Sequence, residues 1–164
     1  MKIRNKKLLT KSIAMAIFMS STLYTMPITH AAFNNNTLPS VDKVVAGTNV
    51  NISDPANITQ GSENAVIQWK DFSIGANATV NFKGPENFNT LNYVNSGNLS
   101  QIYGTINATD TKGNTTGNIY IVNPAGVQIG NSAQINVGSL YVSNKNLDTP
   151  LKNIDNENLD INNI

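Results

Sequence analysis

The stretch GTINAT at residues 104–109 has two near-copies in the same chain, NATVNF at 77–82 and AQINVG at 133–138. Each copy places a small residue, an aliphatic residue and an asparagine in nearly the same order. The aliphatic residues recur after 26 and 29 residues, at Val80, Ile106 and Ile135. A recurrence of about 20 to 30 residues is typical of solenoids, in which each aliphatic side chain stacks on its counterpart one coil away. The repeats therefore predict a solenoid of parallel β-rungs.

Short apolar or β-branched runs, separated by Gly, Asn, Asp and Pro, fill the chain from Ala65 onward. Runs of this length between turn-forming residues predict strands, and no stretch after Ala32 has the 3.6-residue periodicity of a helix. We therefore expect an all-β chain, with a β-sandwich as the competing fold. The runs are Ala65–Trp69, Thr79–Phe82, Thr90–Val94, Gln101–Tyr103, Thr105–Ala108, Asn118–Val122, Val127–Ile129, Gln134–Val137 and Ser139–Val142.

Asparagine makes up about a sixth of the chain. Asparagine tolerates the left-handed backbone region and bonds its own backbone in turns, so we expect it at the corners of the coil. An AT-rich genome would also raise the asparagine content. The two explanations are compatible.

The first 31 residues have the organisation of a secretory signal peptide. A start with four lysines and one arginine precedes the apolar run SIAMAIFMSSTLY, Ser12–Tyr24. Thr29 and Ala31 supply the small residues at the two positions that signal peptidase reads. The apolar run is shorter than the roughly 20 residues of a spanning helix. We therefore expect cleavage after Ala31 or Ala32 rather than a membrane anchor.

Removing this segment changes the charge and the chemistry of the chain. From Ala32 onward there are six lysines against ten carboxylates, a formal charge of −4, and no Arg, His or Cys. The basic footprint of a nucleic-acid-binding protein is absent. Histidine-based acid–base catalysis, thiol nucleophiles and the usual zinc ligands are absent too. The sequence predicts neither an enzyme nor a cofactor or metal site.

Two groups of residues could form a ligand site, one for calcium and one for sugars. Both are weaker hypotheses than an ordinary surface loop and ordinary core packing. Asp110 and its loop DTKGNTTGN offer oxygen atoms of the kind that calcium prefers, although a plain loop is the simpler interpretation. Trp69, Phe72 and Phe82 would suit a platform for stacking sugars. Because these aromatic residues lie in strand-like runs, packing inside the coil is the more economical expectation.

The segment NIYIVNPAGVQIG, residues 118–130, holds Asn-Pro-Ala-Gly between two strand-like runs. Asn123 suits the first position of a type I turn, Pro124 presets φ for the second, and Gly126 suits the fourth. The segment therefore predicts a tight turn. Such a turn is also a defined surface that a partner could recognise.

Five segments follow one another in a recognisable order: VIQWKDFSIG (66–75), VNFKGP (80–85), LNYVNSG (91–97), SQIYGTINA (100–108) and NPAGVQIG (123–130). Together they resemble the N-terminal secretion domain of two-partner secretion exoproteins. This family is the filamentous-haemagglutinin type of large Gram-negative adhesins, haemolysins and contact-dependent toxins. The resemblance runs from about Val44 to Ser143. The sequence departs from the family pattern at Tyr93, where arginine is usual, at Ala125, where asparagine is usual, and at Val127, which replaces isoleucine.

The resemblance implies a right-handed parallel β-helix that acts as a secretion signal. It also implies recognition in the periplasm by the POTRA domains of a dedicated outer-membrane transporter. The exoprotein would be secreted or held at the surface of a Gram-negative bacterium. The motif implied for partner recognition and folding consists of Asn123, Pro124, Ala125, Gly126 and Val127.

The expected organisation is a signal peptide at residues 1–31, the β-helical domain at 32–143, and a terminal coil, linker or truncated end at 144–164. Receptors on host or bacterial cells would be bound by regions downstream of this chain. A carbohydrate-binding or carbohydrate-active β-helix is the alternative function, because β-helical lyases and hydrolases use clustered acids. The carboxylates of this chain are scattered instead.

Overall fold

The computed structural model describes residues 33–147, which form twelve β-strands and contain no helix. Within these residues, accordingly, no helix is long and apolar enough to cross a membrane. The predicted signal peptide, its cleavage site at Ala31 and residues 148–164 lie outside the described part. The strands are β1 (Ser40–Ala46), β2 (Thr48–Asn51), β3 (Ala56–Gln60), β4 (Asn64–Asp71), β5 (Thr79–Gly84), β6 (Asn89–Val94), β7 (Ser100–Ile102), β8 (Thr105–Asp110), β9 (Asn118–Val122), β10 (Val127–Ile129), β11 (Gln134–Asn136) and β12 (Ser139–Ser143).

The strands form three sheets that wind as a solenoid. Sheet A has the order β1-β4-β6-β9-β12, sheet B the order β11-β8-β5-β3-β2, and sheet C consists of β10 and β7. From β3 onward all neighbouring strands are parallel. The chain visits sheets B, A and C in turn, except that the first coil has only the isolated bridge from Ile74 to Ile102 in place of a sheet C strand. It completes about three coils before β11 and β12 begin another. The predicted all-β parallel solenoid is confirmed, whereas its right-handed sense stays a prediction.

The repeat that predicted the coil sets the register of sheet B. Val80 pairs with Ile106, and Ile106 pairs with Ile135, while Ala56 extends the same column in the first coil. Ala56, Val80 and Ile106 are fully buried. The column is therefore a line of stacked interior side chains. All nine predicted runs coincide with strands β4 to β12 within a few residues.

The large aromatic residues lie inside the coil. Trp69, Phe72 and Phe82 are at most 1% exposed, and the rings of Trp69 and Phe72 meet edge to face at 5.1 Å. The indole N–H of Trp69 donates to Oδ1 of buried Asn92 at 3.0 Å, and Nδ2 of Asn92 donates to the Tyr120 carbonyl at 3.1 Å. These aromatic residues are core, so the alternative of a sugar-stacking platform at these positions is wrong.

The expectation that asparagines form the corners holds for only part of them: twelve of the 22 described asparagines lie outside strands, and ten lie in strands. Among the described non-glycine residues only Asn87 has a positive φ, at 56°. Seven of the asparagines in strands stack into two ladders, in which each amide donates to its counterpart one coil back at 2.9 to 3.3 Å. In-register parallel strands bring identical amides within hydrogen-bonding reach, which makes such ladders favourable. The ladders are Asn57, Asn81, Asn107 and Asn136 on sheet B, and Asn64, Asn89 and Asn118 on sheet A.

The N-terminal part of the described chain closes the first coil. Strands β1 and β2 pair antiparallel with β4 and β3, and so become the edges of sheets A and B. Ahead of them the carbonyls of Asn35 and Thr37 accept hydrogen bonds from Asn77 N and Gly75 N, both at 2.8 Å. A Cβ atom on Gly75 would lie only 2.3 Å from the backbone of Asn35. The glycine at this position therefore lets the N-terminal segment cross the coil.

Residues 144–147, the described part of the predicted terminal segment, follow β12 without forming a strand. Leu147 packs against an apolar cluster formed by Val66, Leu91, Tyr120 and Val122 of sheet A. The beginning of this segment thus contacts the coil. The rest of it lies outside the described residues, so its assignment as coil, linker or truncated end stays a prediction.

Candidate functional site

The Asn-Pro-Ala-Gly corner connects β9 to β10. The amide of Gly126 donates to the Asn123 carbonyl at 2.8 Å, which closes the predicted β-turn. Ala125 is not among the residues with positive φ, which excludes a type II turn and agrees with type I. Pro124 and Ala125 are exposed. The predicted turn is confirmed, and its two central residues face solvent.

The side chain of Asn123 is fully buried, and both of its polar atoms form hydrogen bonds. Its Oδ1 accepts from Ala125 N at 2.9 Å, and its Nδ2 donates to the Asn98 carbonyl at 2.8 Å and to Ser100 Oγ at 2.9 Å. Its backbone N–H donates to the Ser143 carbonyl at 2.9 Å. One asparagine therefore ties its own turn to the preceding coil and to β12. It is not available to a partner.

Gly126 is held in a backbone conformation that favours glycine. Its φ is 103°, and its carbonyl accepts from Ser100 N at 3.1 Å. A Cβ atom at this position would lie 3.2 Å from Cδ1 of Leu99. The glycine therefore serves two needs, the left-handed backbone and the space for the leucine beside it.

The two family departures at this corner leave the turn intact. Ala125 contributes its backbone N–H to the turn, and its exposed methyl group makes no polar contact. Val127 is half-buried, packs against the core and pairs with Ser100 in sheet C. The structure thus brings all five motif residues together at one corner, with buried roles for Asn123 and Val127.

Sequence reasoning missed the partners of the corner in the preceding coil, Asn98, Leu99 and Ser100. Asn98 and Ser100 precede Asn123 by 25 and 23 residues, close to the 26-residue spacing of Val80 and Ile106. Counting back by one coil, about 26 residues, from Asn123 would therefore have pointed to this segment. Ser100 begins the segment SQIYGTINA, whereas no local pattern in the sequence marks Asn98 and Leu99.

The loop after β8 uses the carboxylate of Asp110 for its own closure. Oδ1 accepts from Lys112 N and Asn114 N, and Oδ2 accepts from Asn114 Nδ2, all at 2.8 Å. The side-chain bond from Asn114 is the main reason that the pKa of Asp110 is lowered. No group of three or more potential metal ligands occurs among residues 33–147. The contacts of Asp110 favour the plain-loop interpretation over a calcium site.

Comparison with known proteins gives one consistent result. A family model described as the TPS secretion domain matches residues 31–162. Two heme/hemopexin-binding proteins of Haemophilus influenzae, one of them from strain ATCC 51907 / DSM 11121 / KW20 / Rd, are 39% and 38% identical over 114 and 115 residues. These alignments cover 67% and 68% of this chain but only 12% of either relative.

A solved structure is similar as well. The HMW1 secretion domain from Haemophilus influenzae matches with a TM-score of 0.59 and 26% identity, over 68% of this chain and 28% of that chain. The family match includes all twelve strands and the Asn-Pro-Ala-Gly corner. The chain therefore belongs to the TPS secretion domain family of two-partner secretion exoproteins.

Proposed function

We propose that this chain is the secretion-targeting domain of a larger exoprotein of the adhesin, haemolysin or contact-dependent toxin type. In this proposal the POTRA domains of an outer-membrane transporter recognise it in the periplasm, and the exoprotein reaches the medium or the cell surface of a Gram-negative bacterium. The observation that carries the proposal is the family match over residues 31–162, which spans the whole described solenoid.

The corner at Asn123–Val127 supports export through backbone shape in this proposal. All polar atoms of the Asn123 side chain bond within the domain, and Gly126 has a φ of 103°. Ala125 faces solvent where the family usually has asparagine. A motif whose polar side chain is buried acts on a partner indirectly, by fixing the surface around it.

The role proposed for the domain is recognition, without catalysis and without nucleic acid as a partner. The negative charge after residue 31 and the lack of Arg, His and Cys there support this. A carbohydrate-binding function has no comparable support, because the aromatic residues that suggested it are buried. Receptor binding on host or bacterial cells would belong to downstream regions. The heme and hemopexin binding named for the Haemophilus relatives would belong there too.

The test is secretion of the full chain in a Gram-negative host, with and without an outer-membrane transporter of the two-partner secretion type. A third strain carries the same transporter with its POTRA domains deleted. The proposal expects the chain in the medium only with the intact transporter, and in the periplasm of the other two strains. Equal amounts in the medium of all three strains would contradict it.

A further inference from the structure

The C-terminal end of the solenoid presents an incomplete layer. Strands β10, β11 and β12 are the last strands of their sheets, and no other strand formed by residues 33–147 pairs with their outer edges. Ile135 of β11 and Leu140 of β12 pack against the core but are only partly buried. Their partners one coil earlier, Ile106 and Ile119, are fully buried. The interior side chains at this end therefore lack the cover that a following coil gives elsewhere.

The asparagine ladder of sheet B stops at Asn136 with an unused acceptor. Oδ1 of Asn81 accepts from Asn107, and Oδ1 of Asn107 accepts from Asn136, both at 2.9 Å. No residue of the described part donates to Oδ1 of Asn136, whose side chain is exposed. The ladder can therefore take one more amide at this end.

The backbone of β11 is also unpaired on its outer side. Gln134 N donates to the Gly104 carbonyl at 3.1 Å, toward β8. Alternate residues of a parallel strand bond to opposite neighbours, so the N–H and C=O of Ile135 face the open edge. Such an edge is a template for a further strand.

An aliphatic–asparagine pair of the kind found in the ladder occurs once more, beyond the described residues. Ile161-Asn162 follow Ile135-Asn136 by 26 residues. The same spacing separates Val80-Asn81 from Ile106-Asn107, which pair with each other in neighbouring strands. Among residues 148–164 no other aliphatic residue is followed directly by asparagine. The family match ends at residue 162 and thus includes this pair.

The connecting chain is long enough for the pair to reach β11. Leu147 packs against sheet A, and the twelve residues 148–159 separate it from Asp160. Twelve residues span up to about 40 Å when extended. The connection from β9 in sheet A to β11 in sheet B needs only eleven residues, 123–133.

We propose that residues 160–162 form a further parallel strand on the outer edge of β11. Ile161 stacks on Ile135 and covers it, while the amide of Asn162 donates to Oδ1 of Asn136 and extends the ladder by one coil. The open end of the solenoid is thus an interaction surface, and its occupant is a later segment of the same chain. This inference goes beyond the proposed function and does not depend on it.

The experiment follows amide hydrogen exchange by NMR on the isotope-labelled full chain isolated from the periplasm. The reporter is the N–H of Ile135, which a strand on the outer edge of β11 would protect. The reference for an intact fold is the N–H of Val80, because its strand β5 is paired on both sides.

Two variants remove the proposed contacts, and each has a matched control earlier in the same segment. Asn162→Asp replaces the amide donor with a carboxylate of the same size, and Asn156→Asp makes the same change away from the pair. Ile161→Ser removes the stacking side chain, and Ile154→Ser is its control.

We expect the Ile135 N–H to exchange roughly tenfold faster in Asn162→Asp and in Ile161→Ser than in the wild type, a factor that corresponds to about one hydrogen bond. Both controls should exchange like the wild type, and Val80 should be unchanged throughout. Equal rates for Ile135 in the wild type and in these two variants, or the same increase in the controls, would overturn the proposal. Protection of Ile135 that grows with protein concentration would overturn it too, because a second copy of the chain would then occupy the edge.

Discussion

Replacing Asn123 with alanine tests how the corner is built. The change removes three side-chain hydrogen bonds, to Asn98 O, Ser100 Oγ and Ala125 N, at a residue that is fully buried. A typical intramolecular hydrogen bond contributes about 1 kcal/mol net, so the free energy of unfolding should fall by about 3 kcal/mol. For a domain of this size that corresponds to a drop in melting temperature of roughly 10 °C.

The assay is a thermal melt followed by circular dichroism, on the full chain isolated from the periplasm, with urea unfolding to obtain the free energy. The matched control is Asn131→Ala, which truncates an exposed asparagine in the turn between β10 and β11. The control should melt like the wild type. A melting temperature of Asn123→Ala within about 2 °C of the wild type would refute the idea that these bonds hold the corner.

Four further predictions concern the corner, the loop after β8 and the core. Gly126→Val should strain the backbone by about 1–3 kcal/mol, because φ is 103°, and should reduce secretion. Ala125→Asn changes only an exposed side chain and should leave secretion at the wild-type level; loss of export there would show that side-chain recognition controls the step. The pKa of Asp110 is lowered in the fold, so its stabilising effect is present above pH 3.8 and disappears as the pH falls through the folded value. Asp110→Asn should therefore melt below the wild type at neutral pH, with the gap closing in acid, and a constant gap would contradict this. Asn92→Ala leaves the Trp69 indole N–H without its acceptor in the core and should cost roughly 2–3 kcal/mol in urea unfolding; an unchanged free energy of unfolding would mean that the bond contributes nothing.

The coil was predictable from the sequence because the side chains that stack in its interior recur at a spacing of about one coil. The spacing of Val80, Ile106 and Ile135 predicted the pairing that the structure has. The antiparallel edge strands β1 and β2 were not predicted, because strands outside the coil do not follow its residue spacing. The asparagines were assigned to corners from their local turn preference. For the seven asparagines of the two ladders, stacking on an identical residue one coil away accompanies a position inside a strand, and a local preference does not contain that information.

The candidate site was also predictable only in part. The turn at Asn123 and Gly126 was predictable, because it depends on four consecutive residues. The burial of the Asn123 side chain was not, since it depends on Asn98 and Ser100 in the coil before.

Transfer of export to an unrelated protein tests the central claim most directly. Residues 1–164 are fused to a cysteine-free passenger that is not normally exported across the outer membrane, and the fusion is produced with the transporter. A control fusion carries only residues 1–32. The account predicts the passenger in the medium for the first fusion and in the periplasm for the second. Retention of both fusions in the periplasm, in cells whose transporter exports the full chain alone, would contradict the claim that this domain directs secretion.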